Sequence, residues 1–229
     1  MLIQDTDHRK PSIDLRLAGI LSLVAGALNA VGFEIAGLFS ANMTGNLSAM
    51  ADELAHGATG VALMFGLLFV VFVVGAFCAG IAVEAARRVG MVSVYALLVL
   101  GEGLLLLGVG GVEVTGLWVF NSFHVILVLA FALGLQNAVT TRISRARVRT
   151  THVSGIATDM GLSLAALWLG ERGRARGALA LHGVTLLAFL VGGIVGATVL
   201  SGLGAVSFCL WGGVLVAVAG WELGQRSAR

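Results

Sequence analysis

Apolar positions fall into six long runs, at residues 15 to 37, 59 to 85, 91 to 110, 118 to 140, 178 to 200 and 203 to 221. Each is close to the roughly 20 residues a helix needs to cross a bilayer core. Six spanning helices are therefore predicted. Two of the connections, 38 to 58 and 141 to 177, are long. Each holds a mildly apolar stretch too short or too polar to span: Ser40-Ala-Asn-Met-Thr-Gly-Asn-Leu-Ser-Ala-Met-Ala-Asp-Glu-Leu in the first, Thr151-His-Val-Ser-Gly-Ile-Ala-Thr-Asp-Met-Gly-Leu-Ser-Leu-Ala-Ala-Leu-Trp-Leu in the second. Both stretches open with a hydroxyl residue of the type that caps helix N-termini and continue with helix formers, which predicts two half-helices.

Composition agrees with the pattern. The 229 residues are 58% hydrophobic and 11% charged, where a soluble domain carries about 25% charge, so the chain has no means of building a wet surface. Charge then supplies an orientation. All fourteen Lys and Arg fall on one side of the six runs: Arg9, Lys10 and Arg16; Arg87 and Arg88; Arg142, Arg145, Arg147, Arg149, Arg172, Arg174 and Arg176; Arg226 and Arg229. The other side carries Asp52, Glu53, His56 and Glu113. Basic residues in short loops stay in the cytoplasm, which predicts a multi-pass protein with both termini cytoplasmic and residues 1–13 as a short tail. Were the half-helices full spans, Arg142 to Arg149 and Arg172 to Arg176 would lie on opposite sides, so re-entrant or interfacial segments are favoured. The arginine run 142 to 149 suits anionic lipid heads, and nothing here calls for nucleic acid.

The two halves resemble each other. Ala25-Gly-Ala-Leu-Asn-Ala-Val31 aligns with Leu133-Gly-Leu-Gln-Asn-Ala-Val139 at an offset of 108, and Gly45 and Met50 align with Gly155 and Met160 at an offset of 110. Each half then reads as a span ending in Asn-Ala-Val, a polar gap, a half-helix and two further spans, repeat 1 at about 15–110 and repeat 2 at about 118–223. An odd number of spans per unit inverts the second copy. The fold class expected is an all-α membrane protein, one transmembrane domain over 1–229, with six helices as two three-helix inverted-topology repeats, each with a non-spanning half-helix after its first helix.

The segments Asn29-Ala-Val-Gly-Phe33 with Met43-Thr-Gly-Asn46, and Gly134-Leu-Gln-Asn-Ala138 with Thr150-Thr-His-Val-Ser-Gly155, resemble the paired signatures of the YoaK-like family of bacterial inner-membrane proteins, over nearly the whole chain. The resemblance implies about six spans and an inner-membrane location, and brings no substrate. It also implies an Asp where this chain has Asn29 and a Thr where it has Ser154.

Inverted repeats with broken helices are an architecture of secondary transporters, whose half-helix N-termini bind solute. The residues in the corresponding places are Asn29, Thr44, Gly45, Asn46, Gln136, Asn137, Ser154, Gly155, Thr158 and Asp159. Unpaired N–H groups and the dipole at the half-helix openings favour an anionic or zwitterionic solute, while N-capping alone accounts for the same residues equally well. For Asn29 and Asn137 a tie to the neighbouring broken backbone competes with direct solute contact. Glu102, mid-span, is a candidate proton carrier with His124, at comparable depth, as its partner, and packing alone is the alternative. Cys78 and Cys209 sit in apolar runs without CxxC or metal-ligand spacing. No HExxH, GxSxG, P-loop or GxGxxG occurs, and Ser154 and His152 point to different helix faces, so an enzyme is not expected and no cofactor or metal is implied. The partners expected are the lipid bilayer and an unidentified solute, with homo-oligomerisation open. A transporter is favoured over a non-transporting scaffold or partner subunit.

Overall fold

The computed structural model of the chain describes residues 1–2, 10–117 and 121–227. Among the described residues eight helices follow in order: α1 (Pro11–Ala36), α2 (Met43–Ala55), α3 (Thr59–Arg88), α4 (Val94–Val114), α5 (Ser122–Ser144), α6 (Val153–Trp168), α7 (Arg172–Leu203) and α8 (Val206–Ser227). No strand occurs among the described residues. Arg9 and Arg229 from the charge pattern, most of the short N-terminal tail, and 118–120 at the start of the fourth apolar run lie outside the described residues.

Six helices, α1, α3, α4, α5, α7 and α8, are long and apolar enough to cross a membrane. The helices of 13 and 16 residues, α2 and α6, are about 20 and 24 Å long at 1.5 Å per residue, short of a hydrocarbon core of about 30 Å. Local chemistry sets their ends. Pro11 opens α1, where its missing N–H costs nothing, and Gly37, in the left-handed region at φ 67, closes it by donating to Phe33 O at 2.7 Å. The N-caps of the short helices are Asn42 and His152, where hydroxyl caps were expected. Ser40 is buried and its Oγ donates to Leu28 O at 3.4 Å, so that hydroxyl is engaged across to α1 and not along α2.

The spanning helices pack as three pairs, α1 along α7, α3 along α5 and α4 along α8. Glycine brings the backbones together in each. Gly26 faces the Phe189 carbonyl and Gly192 the Leu23 carbonyl; Gly75 faces the Phe131 carbonyl and Gly134 the Phe72 carbonyl; Gly103 and Gly212 face each other's carbonyls. Small residues permit this closeness, and it is what holds helices together where lipid removes the hydrophobic contrast. The GxxxG pair Gly192 and Gly196 is thus in use, seated on Leu23 and Ala27.

α1 and α5 form the centre, with Leu17, Leu21, Leu28, Leu129 and Leu133 fully or almost fully buried. In contrast α3 and α7 turn Leu63, Val70 and Phe77, and Leu187, Leu190 and Ile194, outward, an apolar surface suited to lipid. One end of the bundle gathers the charges. There Arg147 pairs with buried Asp14 at 2.9 Å, Arg142 approaches Glu84 at 3.8 Å, and the terminal amine of Met1 meets Glu222. The short helices lie against long ones, α2 on α3 and α6 on α7.

Candidate functional site

The chain breaks helix geometry twice beside a spanning helix, and each break leaves backbone groups that lipid would not satisfy. At the first break, residues 37–42 double back between α1 and α2. Asn29 Oδ1 on α1 accepts the Ala41 N–H at 2.9 Å, and Asn46 Nδ2 on α2 donates to Phe39 O at 3.2 Å. One amide serves the donor of the turn and the other its acceptor. The Phe33 and Phe39 rings stack at 4.5 Å over the same turn. Asn42 then folds back to accept the Gly45 N–H at 3.1 Å, and a Cβ on Gly45 would overlap the Asn42 side chain, which is why glycine stands at this position.

At the second break, α5 ends with Arg145 and Ala146 in the left-handed region, at φ 54 and 62. Ser144 Oγ accepts the Val148 N–H at 2.9 Å and donates to Thr140 O at 2.6 Å. Asn137 Oδ1 accepts from Thr150 Oγ1 at 3.3 Å, and its Nδ2 donates to Leu133 O at 2.8 Å. The Thr140, Ser144, Asn137 and Thr150 side chains are buried. His152, at the N-cap of α6, is held below the usual histidine pKa, first by partial burial and then by the Arg149 guanidinium.

An open cavity of about 550 Å³ lies over the seam where α1 meets α7, lined by Gly26, Asn29 and Ala30 of α1 and by Phe189 and Gly193 of α7. Phe39, three residues before the cap of its helix, and Val153, the first residue of α6, also line it. The turn before α2 and the first residue of α6 therefore reach one space. The sequence matches, over residues 17–221, the model of a family described as a protein of unknown function, DUF1275. The chain belongs to the DUF1275 family. No curated protein and no solved structure matches it. The family thus agrees with the YoaK-like resemblance in the sequence.

In this DUF1275 protein the residues picked from sequence separate into three places. Asn29 alone of them lines the cavity. Thr44, Ser154, Thr158 and Asp159 lie on exposed faces of the short helices, with Gly45 and Gly155 half-buried; Thr158 Oγ1 donates to Ser154 O at 3.2 Å. Asn46, Gln136 and Asn137 are buried, at 4, 0 and 5% exposure. Gln136 reaches Glu102 at 3.3 Å, whereas His124 is exposed in the first turn of α5, twelve residues or roughly 18 Å along the helix. The amide, and not the imidazole, is the partner of Glu102. Phe39, Val153, Phe189 and Gly193 were missed because apolar residues that line a cavity are spaced like those that fill a core.

A smaller cavity of about 240 Å³ sits at the charged end among Arg87, Arg142, Arg145 and Tyr95. Glu84 stands 3.7 Å from Arg87 and 3.8 Å from Arg142. Such a basic recess suits an anionic head group.

Proposed function

We propose that this protein is a secondary transporter or permease of the bacterial inner membrane, with both termini cytoplasmic, for a small anionic or zwitterionic solute with an apolar body. One observation carries the reading: the first residue of α6 and the turn before α2 open onto the same cavity, with Asn29 in its wall. A helix N-terminus favours a negatively charged group through its free N–H donors and dipole. The surrounding Phe, Leu and Gly surfaces accept an apolar body.

The inverted duplication supports this reading through the packing. The contact of Gly26 with Phe189 recurs as that of Gly134 with Phe72, and Gly192 with Leu23 recurs as Gly75 with Phe131. The partners are related by the offset of 108 found in the sequence for α1 and α5, and by 117 for α3 and α7. The two ties recur as well, Asn29 to residue 41 and Asn137 to residue 150. Gly103 and Gly212, which contact each other, would straddle the pseudo-axis. An inverted pair of this kind allows one half to rock against the other around a fixed site.

Gly193 provides the test. It lines the cavity, and a Cβ there would make only ordinary contact, at 3.6 Å from Gly26 O. Gly193→Leu is expected to fold and to abolish saturable uptake of the solute found by screening organic anions and amino acids against wild-type proteoliposomes. Absence of saturable uptake or binding across that panel would sink the transporter reading in favour of a scaffold or partner subunit, and full uptake by Gly193→Leu would overturn the placement of the solute in this cavity.

A further inference from the structure

Glu102 of α4 and Gln136 of α5 meet deep in the bundle, at 1 and 0% exposure. Gln136 Nε2 donates to Glu102 Oε1 at 3.3 Å, and the two remaining oxygens, Glu102 Oε2 and Gln136 Oε1, are buried without a hydrogen-bond partner. Neither residue lines either cavity. A carboxylate here would hold a full charge on one neutral donor, which is costly at membrane depth, and the amide oxygen would stay orphaned. A carboxylic acid removes both difficulties. In an acid–amide ring the amide N–H donates to the acid carbonyl while the acid O–H donates to the amide carbonyl. The two orphaned oxygens are the two atoms that the second half of this ring needs.

We propose that Glu102 and Gln136 form a proton-binding site, with one proton on Glu102 Oε2 donated to Gln136 Oε1. Among the described residues, the ionisable groups of the helices packed against α4 do not supply a competing partner. On α8, Cys209 sits at Gly110 and Glu222 binds the terminal amine. On α5, His124 is exposed and Arg142 faces Glu84. On α3, Cys78 is exposed, while Glu84, Arg87 and Arg88 belong to the charged end; on α4 itself Tyr95 and Glu113 stand near the two ends. Because α4 and α5 belong to different halves of the chain, parting them breaks the ring, and the proton then passes to water that enters. The proton-binding site goes beyond the transport reading and does not depend on it; release by parting of the halves rests on that reading.

Infrared difference spectroscopy of the purified protein in lipid nanodiscs tests it. At neutral pH the wild type is expected to show a protonated-acid C=O band that shifts in D₂O, moves to the frequency of a weaker hydrogen bond in Gln136→Leu, and is absent in Glu102→Gln. An amide replaces the acid in the same ring, so Glu102→Gln is expected to fold; should it not, the Gln136→Leu shift decides alone. A wild-type spectrum without such a band, or a band indifferent to Gln136→Leu, overturns the proposal.

Discussion

Gly26→Ala and Gly192→Ala are each expected to lower the thermal unfolding midpoint of the detergent-solubilised protein sharply, at a cost of about 3 kcal/mol. A methyl on either glycine would fall inside a backbone carbonyl of the facing helix, Phe189 for Gly26 and Leu23 for Gly192. Neither obstacle is a side chain able to swing aside. α1 and α7 would have to separate along their length, losing the close dispersion contacts that hold helices together in lipid. Gly80→Ala on α3 and Gly202→Ala on α7 are the controls, since nothing lies within 4 Å of a Cβ at either. There alanine's better helix propensity is expected to raise the midpoint slightly, by up to about 1 kcal/mol. Equal losses at all four positions would show that helix packing does not depend on the Gly26 and Gly192 contacts.

The contrast shows where sequence was informative and where it was not. Membrane insertion was legible because it is an additive property: each run of about 20 apolar residues pays its own transfer cost regardless of its neighbours. The short helices were legible for the same reason, as stretches too short to cross. Which glycines matter was not, because 33 of them are scattered along the chain and only a crossing angle and register distinguish Gly26 from Gly202. Depth along a helix suggested His124 as the partner of Glu102, but depth leaves rotation free. A residue is turned about 100° from the next one, and in the actual packing α5 turns Gln136 toward α4. Asn29 and Asn137 were legible as a pair because they recur at a fixed offset beside a break in the helix. Their differing hydrogen bonds were not.

That difference sets the second large effect. Asn137→Asp is expected to destabilise the protein by about 3 kcal/mol or more, and Asn29→Asp by less than about 1 kcal/mol. Asn29 is used as an acceptor: its Oδ1 takes the Ala41 N–H, and the residue is half-buried at the cavity wall. A carboxylate accepts the same N–H with the added strength of its charge and turns its second oxygen to the cavity. The family resemblance implies Asp at this position, in keeping with a site that needs an acceptor there. Asn137 is both acceptor and donor, and 5% exposed. Asp at 137 would exchange the Nδ2 donor for an oxygen facing the Leu133 carbonyl, setting lone pair against lone pair and burying a charge with a single hydroxyl to answer it. Thermal midpoints of the two variants at neutral pH, beside Asn29→Ala, decide the matter. If Asn29→Asp fell as far as Asn29→Ala, acceptance of the Ala41 N–H would not be what the side chain contributes; if Asn137→Asp matched wild type, the donor to Leu133 would be dispensable and the second tie would rest on Thr150 alone.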